Sequence, residues 1–183
     1  MSPEQLRAHH QPRVELLAAR PYVGIPARAG DEAAFRAAMH DAVPAALRWV
    51  LARGLRPAGG PFVRYRCVDE RAVPPAGPPP ASFEACVPLD APPCGVDGRL
   101  LADELPAGRW IVALHRGGYD GLGALHRIVR EWATAEGLWI DRTPTAEGTT
   151  AFGGSIEHFR VGPFEEPDPW RWETDVAYLV AGD

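Results

Sequence analysis

The chain has 183 residues, with 19 Lys or Arg against 24 Asp or Glu and a formal net charge of −5. This length favours one packed domain, and the charges are spread without a run of either sign, which argues against direct binding of a nucleic-acid backbone. The sequence has no apolar run long enough to span a membrane and no signal peptide at its first residues, so we expect a cytoplasmic protein without a membrane partner.

Cysteine usage argues against a disulfide framework and against a zinc site. Cys67, Cys86 and Cys94 are odd in number and have neither CxxC nor Cys/His ligand spacing. We therefore expect reduced, partly buried thiols, no metal and no cofactor.

The first predicted elements are a strand, RPYVGIPARAG at residues 20–30, and a helix that ends near Gly54. Apolar residues from Phe35 to Leu51 recur at three- and four-residue spacings, as in a helix packed on a sheet. Gly54 suits the position just after the helix, where the left-handed backbone favours glycine. Pro44 predicts a kink or an interruption within the helix.

Two further strands are predicted at residues 61–66, PFVRYR, and 83–89, FEACVPL. The proline-rich segment between them is predicted to be an edge loop, because proline cannot donate a ladder hydrogen bond. The sequence leaves open which side of PFVRYR faces a groove, the side with Phe62 and Arg64 or the side with Val63 and Tyr65.

The second half of the chain repeats this order of elements. The first strand aligns with AGRWIVALHRGG, so that Trp110 is equivalent to Tyr22. The end of the first helix aligns with IVREWATAEGL. SIEHFR aligns with PFVRYR, and TDVAYLV with FEACVPL, which places Asp175 on Glu84. The second helix, without a proline, is expected to be the straighter one.

The predicted fold class is therefore α+β, with two βαββ repeats related by a pseudo-two-fold axis. We expect antiparallel sheets that form a central ligand cleft, with the helices on the outer face. The predicted organisation is an N-terminal tail at residues 1–13 and a single domain at 14–183. Within that domain, the repeats are 14–90 and 99–183, and 91–98 is a linker.

Two acidic residues occupy equivalent strand positions. Because side chains alternate along a strand, Glu84 points away from the apolar side that must meet the helices, and Asp175 takes the same side of the last strand. With a true two-fold axis, both carboxylates look into one groove, where partial burial would raise their pKa values and make one a base or a cation partner. The alternative is two solvated charges on an exposed sheet face.

The turn HRGGYDGL, residues 115–122, joins a strand to the second helix. It lacks the Lys-Ser/Thr ending of a phosphate loop and the glycine spacing of a dinucleotide fingerprint. We expect Gly117 and Gly118 to form a tight turn and Asp120 to cap the helix. Tyr119 then lies at the rim of the open sheet face, where it either packs or lines a pocket.

The histidines form no catalytic triad at a recognisable spacing, because no acid, Ser or Cys accompanies them in such a pattern. His126 is expected on a helix surface. His115 and His158 lie at strand positions from which they can enter the cleft.

Together these segments resemble the GyrI-like small-molecule-binding domain, also called the AraC-type effector-binding domain. The resemblance is carried by LPAGRWIVALHRGGYDGLGALHRIVREWATAEGLWI, by PFVRYR with FEACVPL, and by EEPDPWRWETDVAYLV, and it extends from Val14 onward. It implies two βαββ units around a cleft for aromatic and often cationic molecules, with an anchoring Glu in the last strand. Asp175 stands at that place, Glu173 is on the same face, and Ala177 stands where the family often has an aromatic residue.

The resemblance and the chemistry of aromatic rings together give a candidate site, since rings stack on flat ligands and attract cations. The candidate ligand-binding residues are Glu84, Glu173, Asp175, Tyr65, Trp110, Tyr119, Trp139, Phe159, Trp170 and Trp172. In an enzyme, the catalytic residues would be Glu84, Asp175 and Tyr119, with a carboxylate that activates water and a tyrosine that stabilises a developing phenolate.

Three functions are compatible with this sequence. The first is a module that binds aromatic or cationic small molecules for detoxification or drug resistance. The second, implied by the free-standing members of the family, is hydrolysis of cyclopropane-bearing DNA-alkylating drugs. The third is a protein-binding inhibitor of the gyrase-inhibitor type. The first two share one pocket, so composition alone does not separate them.

Overall fold

The computed structural model describes residues 11–71, 80–163 and 165–182. The first ten residues of the predicted tail and most of the first predicted proline-rich loop lie outside the described residues. Short 3₁₀ turns lie at Tyr119–Gly121 and Pro169–Arg171. The other elements are β1 (Arg13–Leu17), β2 (Arg20–Ala29), α1 (Glu32–Ala52), β3 (Phe62–Val68), β4 (Ala81–Pro88), β5 (Leu101–Leu105), β6 (Gly108–Arg116), α2 (Leu122–Ala135), β7 (Arg142–Pro144), β8 (Thr150–Phe152), β9 (Ser155–Val161) and β10 (Glu173–Leu179).

The strands of the described residues form one antiparallel sheet. Its order is β1-β6-β10-β9-β3-β4-β2-β5, and the β7–β8 hairpin joins it through β3. The runs β2-α1-β3-β4 and β6-α2-β9-β10 are the two predicted repeats, and β3 and β9 pair at the centre. The predicted α+β fold with two βαββ repeats is thereby confirmed.

The central strand pair marks the pseudo-two-fold axis. Phe62 pairs with His158, Val63 with Glu157, and Arg64 with Ile156. Val63 and Glu157 are equivalent positions of the two repeats, so the pair that they form lies on the axis. The chain therefore places a glutamate where its other repeat has a valine.

Each repeat also has a leading strand that the sequence pattern does not predict, and the repeats exchange these strands. Strand β1 precedes the first repeat but pairs with β6, with Glu15 opposite Trp110. Strand β5 precedes the second repeat and pairs with β2, with Asp103 opposite Tyr22. Both segments are short and largely exposed, so hydrophobic alternation gives little signal for them.

The helices begin and end partly as predicted. Gly54 and Gly137 follow α1 and α2 with φ of 69° and 68°, which confirms the predicted left-handed helix ends. Helix α1 continues through Pro44, so the predicted interruption there is wrong. Proline removes one helical hydrogen bond, but buried residues on both sides of it, Val43 and Ala46, keep the helix packed on the sheet.

The entry into α2 differs from the prediction that Asp120 caps the helix. The N-cap position is Gly121, and no side chain caps it. The chain enters α2 through the 3₁₀ turn, in which the Leu122 amide bonds to the Tyr119 carbonyl. This turn, and not an aspartate cap, satisfies one of the first amides of the helix.

Both helices cover the same face of the sheet, here called the helix-covered face. Helix α1 packs over apolar residues of β2 and β4, and α2 over those of β6 and β10. The other face curls into a half-barrel and is here called the concave face. No helix of the described residues is both long and apolar enough to cross a membrane.

The concave face is filled by its own side chains. Trp110 is 1% exposed. Tyr22 and Phe62 are fully buried and belong to the same hydrophobic cluster. The Trp110 indole donates to the Pro106 carbonyl at 3.2 Å. Gly154 gives this ring room, since a Cβ there would lie 2.5 Å from it. The sheet face that the sequence predicts to be open is therefore a packed core.

Candidate functional site

The predicted carboxylates Glu84 and Asp175 both lie on the concave face. Each forms an ion pair with an arginine of its own repeat, Arg66 with Glu84 at 2.6 Å and Arg160 with Asp175. The two arginines are equivalent in the repeat, so the ion pair itself is duplicated. Each carboxylate charge is thus already compensated within the chain.

The first ion pair belongs to a larger network. Tyr22 donates to the second Glu84 oxygen at 2.5 Å and accepts from Arg64 at 2.7 Å. Asp103 bonds to both Arg64 and Arg66. A surface groove of about 450 Å³ opens beside Glu84, but both Glu84 oxygens have partners, so the groove offers a cation no free acidic group.

The second ion pair lies apart from the first. Burial alone would raise the pKa of Asp175, but hydrogen bonds from His158 and Arg160 outweigh burial and hold that pKa below its usual range. Strands β3 and β9 lie between the strands that carry Glu84 and Asp175. Three interstrand spacings therefore separate the two carboxylates, or about 14 Å across the strands. The two carboxylates share a face, as strand alternation predicts, but they do not converge, because the last strand of each repeat lies outside the central pair.

A third carboxylate, Glu157, lies on the helix-covered face at the pseudo-two-fold axis. It is 5% exposed, and its Oε1 is 2.8 Å from Nε2 of His126, which extends from α2. Nδ1 of His126 is 2.7 Å from the Tyr178 hydroxyl. The Tyr65 hydroxyl also bonds to Glu157. Among the described residues, no Lys or Arg forms an ion pair with this carboxylate.

The hydrogen bonds around His126 define how protons are placed when its ring is neutral. An ionised carboxylate only accepts, so Nε2 carries the hydrogen that is donated to Glu157. Nδ1 then accepts from Tyr178, whose oxygen is also bonded to Ser155. Ser155, Tyr178, His126 and Glu157 thus form a continuous hydrogen-bonded chain.

The phenols around Glu157 stay neutral near physiological pH. Burial and the Glu157 carboxylate raise the pKa of Tyr65 well above its usual range. Burial raises the pKa of Tyr178 to about 12. Burial and the negative charge of Glu157 likewise raise the pKa of Tyr119 to about 12. These three hydroxyls are therefore hydrogen-bond donors and not anions.

Aromatic rings flank Glu157 on the sides of both helices. Tyr119 lies between Phe159 and Trp172, with ring centroids 5.4 and 4.8 Å away. Phe35 of α1 stacks on Tyr65 at 6.2 Å with an interplanar angle of 9°. Glu157, His126, Tyr178 and these rings are here called the axial cluster. It contains four of the predicted aromatic residues, Tyr65, Tyr119, Phe159 and Trp172.

The structure places the other predicted site residues elsewhere. Trp110 is in the concave core, and Glu173 pairs with Arg116 at 3.0 Å. Trp139 and Trp170 are 81% and 85% exposed. The described residues contain no group of three side chains that could hold a metal ion.

Four residues of the axial cluster were not among the site residues predicted from sequence: Glu157, His126, Tyr178 and Phe35. The expectation that His126 lies on a helix surface is wrong, because its ring is largely enclosed by the sheet. Leu122, His126 and Val129 lie four and three residues apart, so the helical spacing already placed this histidine on the buried stripe. For Glu157, the signal was its alignment with the apolar Val63.

Comparisons with known proteins find the fold but no close relative. No protein-family model and no curated protein matches the chain. The crystal structure of the EcmrR C-terminal domain is similar, with a TM-score of 0.71 at 15% identity over 95% of this chain and 99% of that one. In the EcmrR–DNA complex, this chain covers 98% of its own length but 62% of the EcmrR chain.

Two other solved structures share the fold. A structure described as a hydrolase from Listeria innocua has a TM-score of 0.58 at 12% identity, over 97% of both chains. SAV2435, solved with bound tetraphenylphosphonium, has a TM-score of 0.52 at 12% identity, over 94% of both chains. These likenesses agree with the predicted GyrI-like fold, and at such identities they establish the fold alone.

Proposed function

We propose that this protein binds aromatic cations at the axial cluster, with Glu157 as the counter-charge. The observation that carries the proposal is a buried carboxylate on the pseudo-two-fold axis, enclosed by aromatic rings and bonded to side chains that are neutral or only conditionally charged. Detoxification of such compounds, and hence drug resistance, is the role that we propose for this binding.

The energetics of burial support this assignment. Removing a carboxylate from water costs several kcal/mol, and a lasting cationic partner normally offsets that cost. Glu84 and Asp175 have such partners in Arg66 and Arg160. Glu157 has no permanently charged partner among the described residues, since His126 is charged only when protonated, so an incoming cation can become the partner of this carboxylate.

The rings support the same class of ligand. Aromatic faces attract cations and stack on flat ligands, and the axial cluster offers them on both helix sides. Tyr119 is 38% exposed and Phe35 is half-buried, so these two rings are the ones that a ligand displaces to reach Glu157. The mode of entry is thus a movement of side chains near the two helix N-termini.

Titration with a matched pair of compounds tests this function. Tetraphenylphosphonium, the compound present in the SAV2435 structure, is compared with triphenylphosphine oxide, a neutral molecule with similar rings. We expect the cation to bind at least about tenfold more tightly by isothermal titration calorimetry, because only the cation gains from Glu157. Equal affinity for the two compounds would contradict the proposed function.

Hydrolysis of a strained ring is a second candidate function for the same site. It is supported by the hydrogen-bonded chain that ends at Glu157, since a carboxylate backed by an imidazole suits a general base. Glu157 would take a proton from a water that attacks a cyclopropane carbon, and the strained C–C bond of the ring would break. Its electron pair would pass to the conjugated carbonyl oxygen of the drug, which becomes a phenolate oxygen that accepts a hydrogen bond from the Tyr119 phenol. The third alternative, inhibition of a protein partner, stays a prediction.

Mass spectrometry separates binding from hydrolysis. The protein is incubated with a cyclopropane-bearing DNA-alkylating drug. If it is a hydrolase, the unchanged protein forms a product heavier than the drug by one water, and the Glu157→Gln variant does not. An unchanged drug that is retained by the protein supports binding alone. A product that forms equally with both proteins would exclude Glu157 as the base.

A further inference from the structure

His126 lies directly against Glu157, the carboxylate that the proposed function assigns to a bound cation. Its Nε2 already bonds to Glu157 at 2.8 Å, and its other ring nitrogen bonds to Tyr178 at 2.7 Å. The imidazole ring is also in edge contact with Tyr65 and Tyr178, at centroid distances of 6.0 and 5.6 Å. The ring is therefore fixed against the carboxylate by contacts with two different strands.

The hydrogen-bonded chain accommodates His126 in two charge states. When the ring is neutral, Tyr178 donates to Nδ1. When the ring is protonated, both ring nitrogens donate, and the Tyr178 hydroxyl reverses to accept from Nδ1 and donate to Ser155. Hydroxyl rotors reorient freely, so neither state leaves a ring nitrogen without a partner.

We propose that His126 is the resident, exchangeable counter-ion of Glu157, so that binding of a cation expels a proton from the imidazole. This inference rests on the proposed function and adds its regulation. In the empty site, a protonated His126 neutralises Glu157. An arriving cation takes over that role, and two positive charges beside one carboxylate repel each other, so the imidazole proton leaves to solvent.

The other titratable and charged groups near His126 have raised pKa values or partners of their own. The phenols of Tyr65, Tyr119 and Tyr178 keep raised pKa values. On α2, Arg130 is paired with Glu70, and Arg127 with Glu131. On other elements, Arg142 of β7 also pairs with Glu70, and Glu32 of α1 pairs with Arg36. His115 is engaged with the Gly118 carbonyl at 2.8 Å, and Glu165 lies beyond Tyr119.

Linkage gives the sign and size of the effect. If one proton leaves for each cation bound, affinity rises with pH by up to about tenfold per pH unit while the imidazole is protonated. The slope disappears at a pH where the imidazole of the empty site carries no proton to release. A site with Glu157 alone would instead lose affinity only where a carboxylate protonates.

The test is calorimetric titration with tetraphenylphosphonium at a series of pH values, in pairs of buffers with different ionisation enthalpies, which counts released protons. We expect the unchanged protein to release close to one proton per cation at the acid end. We expect the His126→Gln variant to release none and to bind with an affinity that is flat with pH, since the amide still donates to Glu157. The His40→Gln variant is the control, because His40 is exposed on α1.

A second variant keeps the test informative if His126→Gln fails to fold. Tyr178→Phe removes the hydroxyl that accepts a hydrogen bond from the protonated His126 ring, so protonation of this ring becomes less favourable. We therefore expect the rise of cation affinity with pH to occur at lower pH than in the unchanged protein. A His126→Gln variant with the slope of the unchanged protein would overturn the proton exchange and leave cation binding intact. If the unchanged protein binds no tetraphenylphosphonium at any pH, the proposed function itself is wrong and the exchange falls with it.

Discussion

The Glu157→Gln variant is expected to bind tetraphenylphosphonium about 30-fold more weakly, or worse, than the unchanged protein. Glutamine has nearly the same shape and still bonds to His126 and Tyr65, so the substitution removes the charge and little else. A cation in a buried site loses a charge-assisted partner, which costs about 2 kcal/mol or more. Affinity for triphenylphosphine oxide should not change, because the neutral compound does not use the carboxylate charge.

The matched control for this experiment is Glu84→Gln. Glu84 is also a buried carboxylate on an interior strand, β4, but it faces the concave side and is compensated by Arg66. We expect this variant to keep the affinity of the unchanged protein for the cation, measured by calorimetry on samples with matched circular dichroism spectra. If Glu84→Gln loses the cation and Glu157→Gln keeps it, the ligand site lies on the other face of the sheet.

The Trp110→Ala variant is expected to lose about 3 to 5 kcal/mol of unfolding free energy. Trp110 is 1% exposed in the concave core and packs beside Tyr22 and Phe62, and Gly154 leaves room for its ring. Removal of the indole leaves a cavity that the curled sheet cannot easily close. The midpoint of thermal unfolding should fall by about 10 °C.

Trp139→Ala is the control for this loss of stability. Trp139 is 81% exposed, so its removal should change the unfolding free energy by no more than about 0.5 kcal/mol. At a temperature where both variants stay folded, both should bind tetraphenylphosphonium with unchanged affinity. Lost cation affinity in a folded Trp110→Ala protein would instead indicate that the concave face forms the ligand site.

The fold was predictable from sequence because its two halves carry the same local signals. Helical spacing, the glycines that end both helices and the matched strands are features of neighbouring residues, and the structure confirms them. The exchange of β1 and β5 between the repeats was not predictable. Pairing of such short edge strands is decided by distant partners, here Trp110 opposite Glu15 and Tyr22 opposite Asp103.

The site was less predictable than the fold, and the duplicated acids show why. Strand alternation correctly placed Glu84 and Asp175 on the same side. The same alignment also matched Arg66 with Arg160, which in hindsight indicated two self-contained ion pairs. Alternation gives a direction for each side chain, but it does not tell whether the sheet curls over that side and fills it.

A comparison of the two repeats does not single out Glu157, because its equivalent in the first repeat is Val63. The comparison of the repeats favours residues that the two halves share, whereas a ligand on a pseudo-two-fold axis meets a position at which the two halves can differ. Val63 and Glu157 are that position, paired with each other at the centre of the sheet. The axial cluster is identified by two polar residues at positions where the pattern expects apolar ones. Glu157 lies on the buried side of its strand, and His126 lies on the buried stripe of the helix that faces it.

The most direct test of the account is a crystal structure of the protein with tetraphenylphosphonium bound. We predict the phosphonium on the helix-covered face, between α1 and α2, with its charge facing Glu157 and with Phe35 or Tyr119 moved from its present place. A cation held beside Glu84 in the groove of the concave face, with the axial cluster unchanged, would contradict the account.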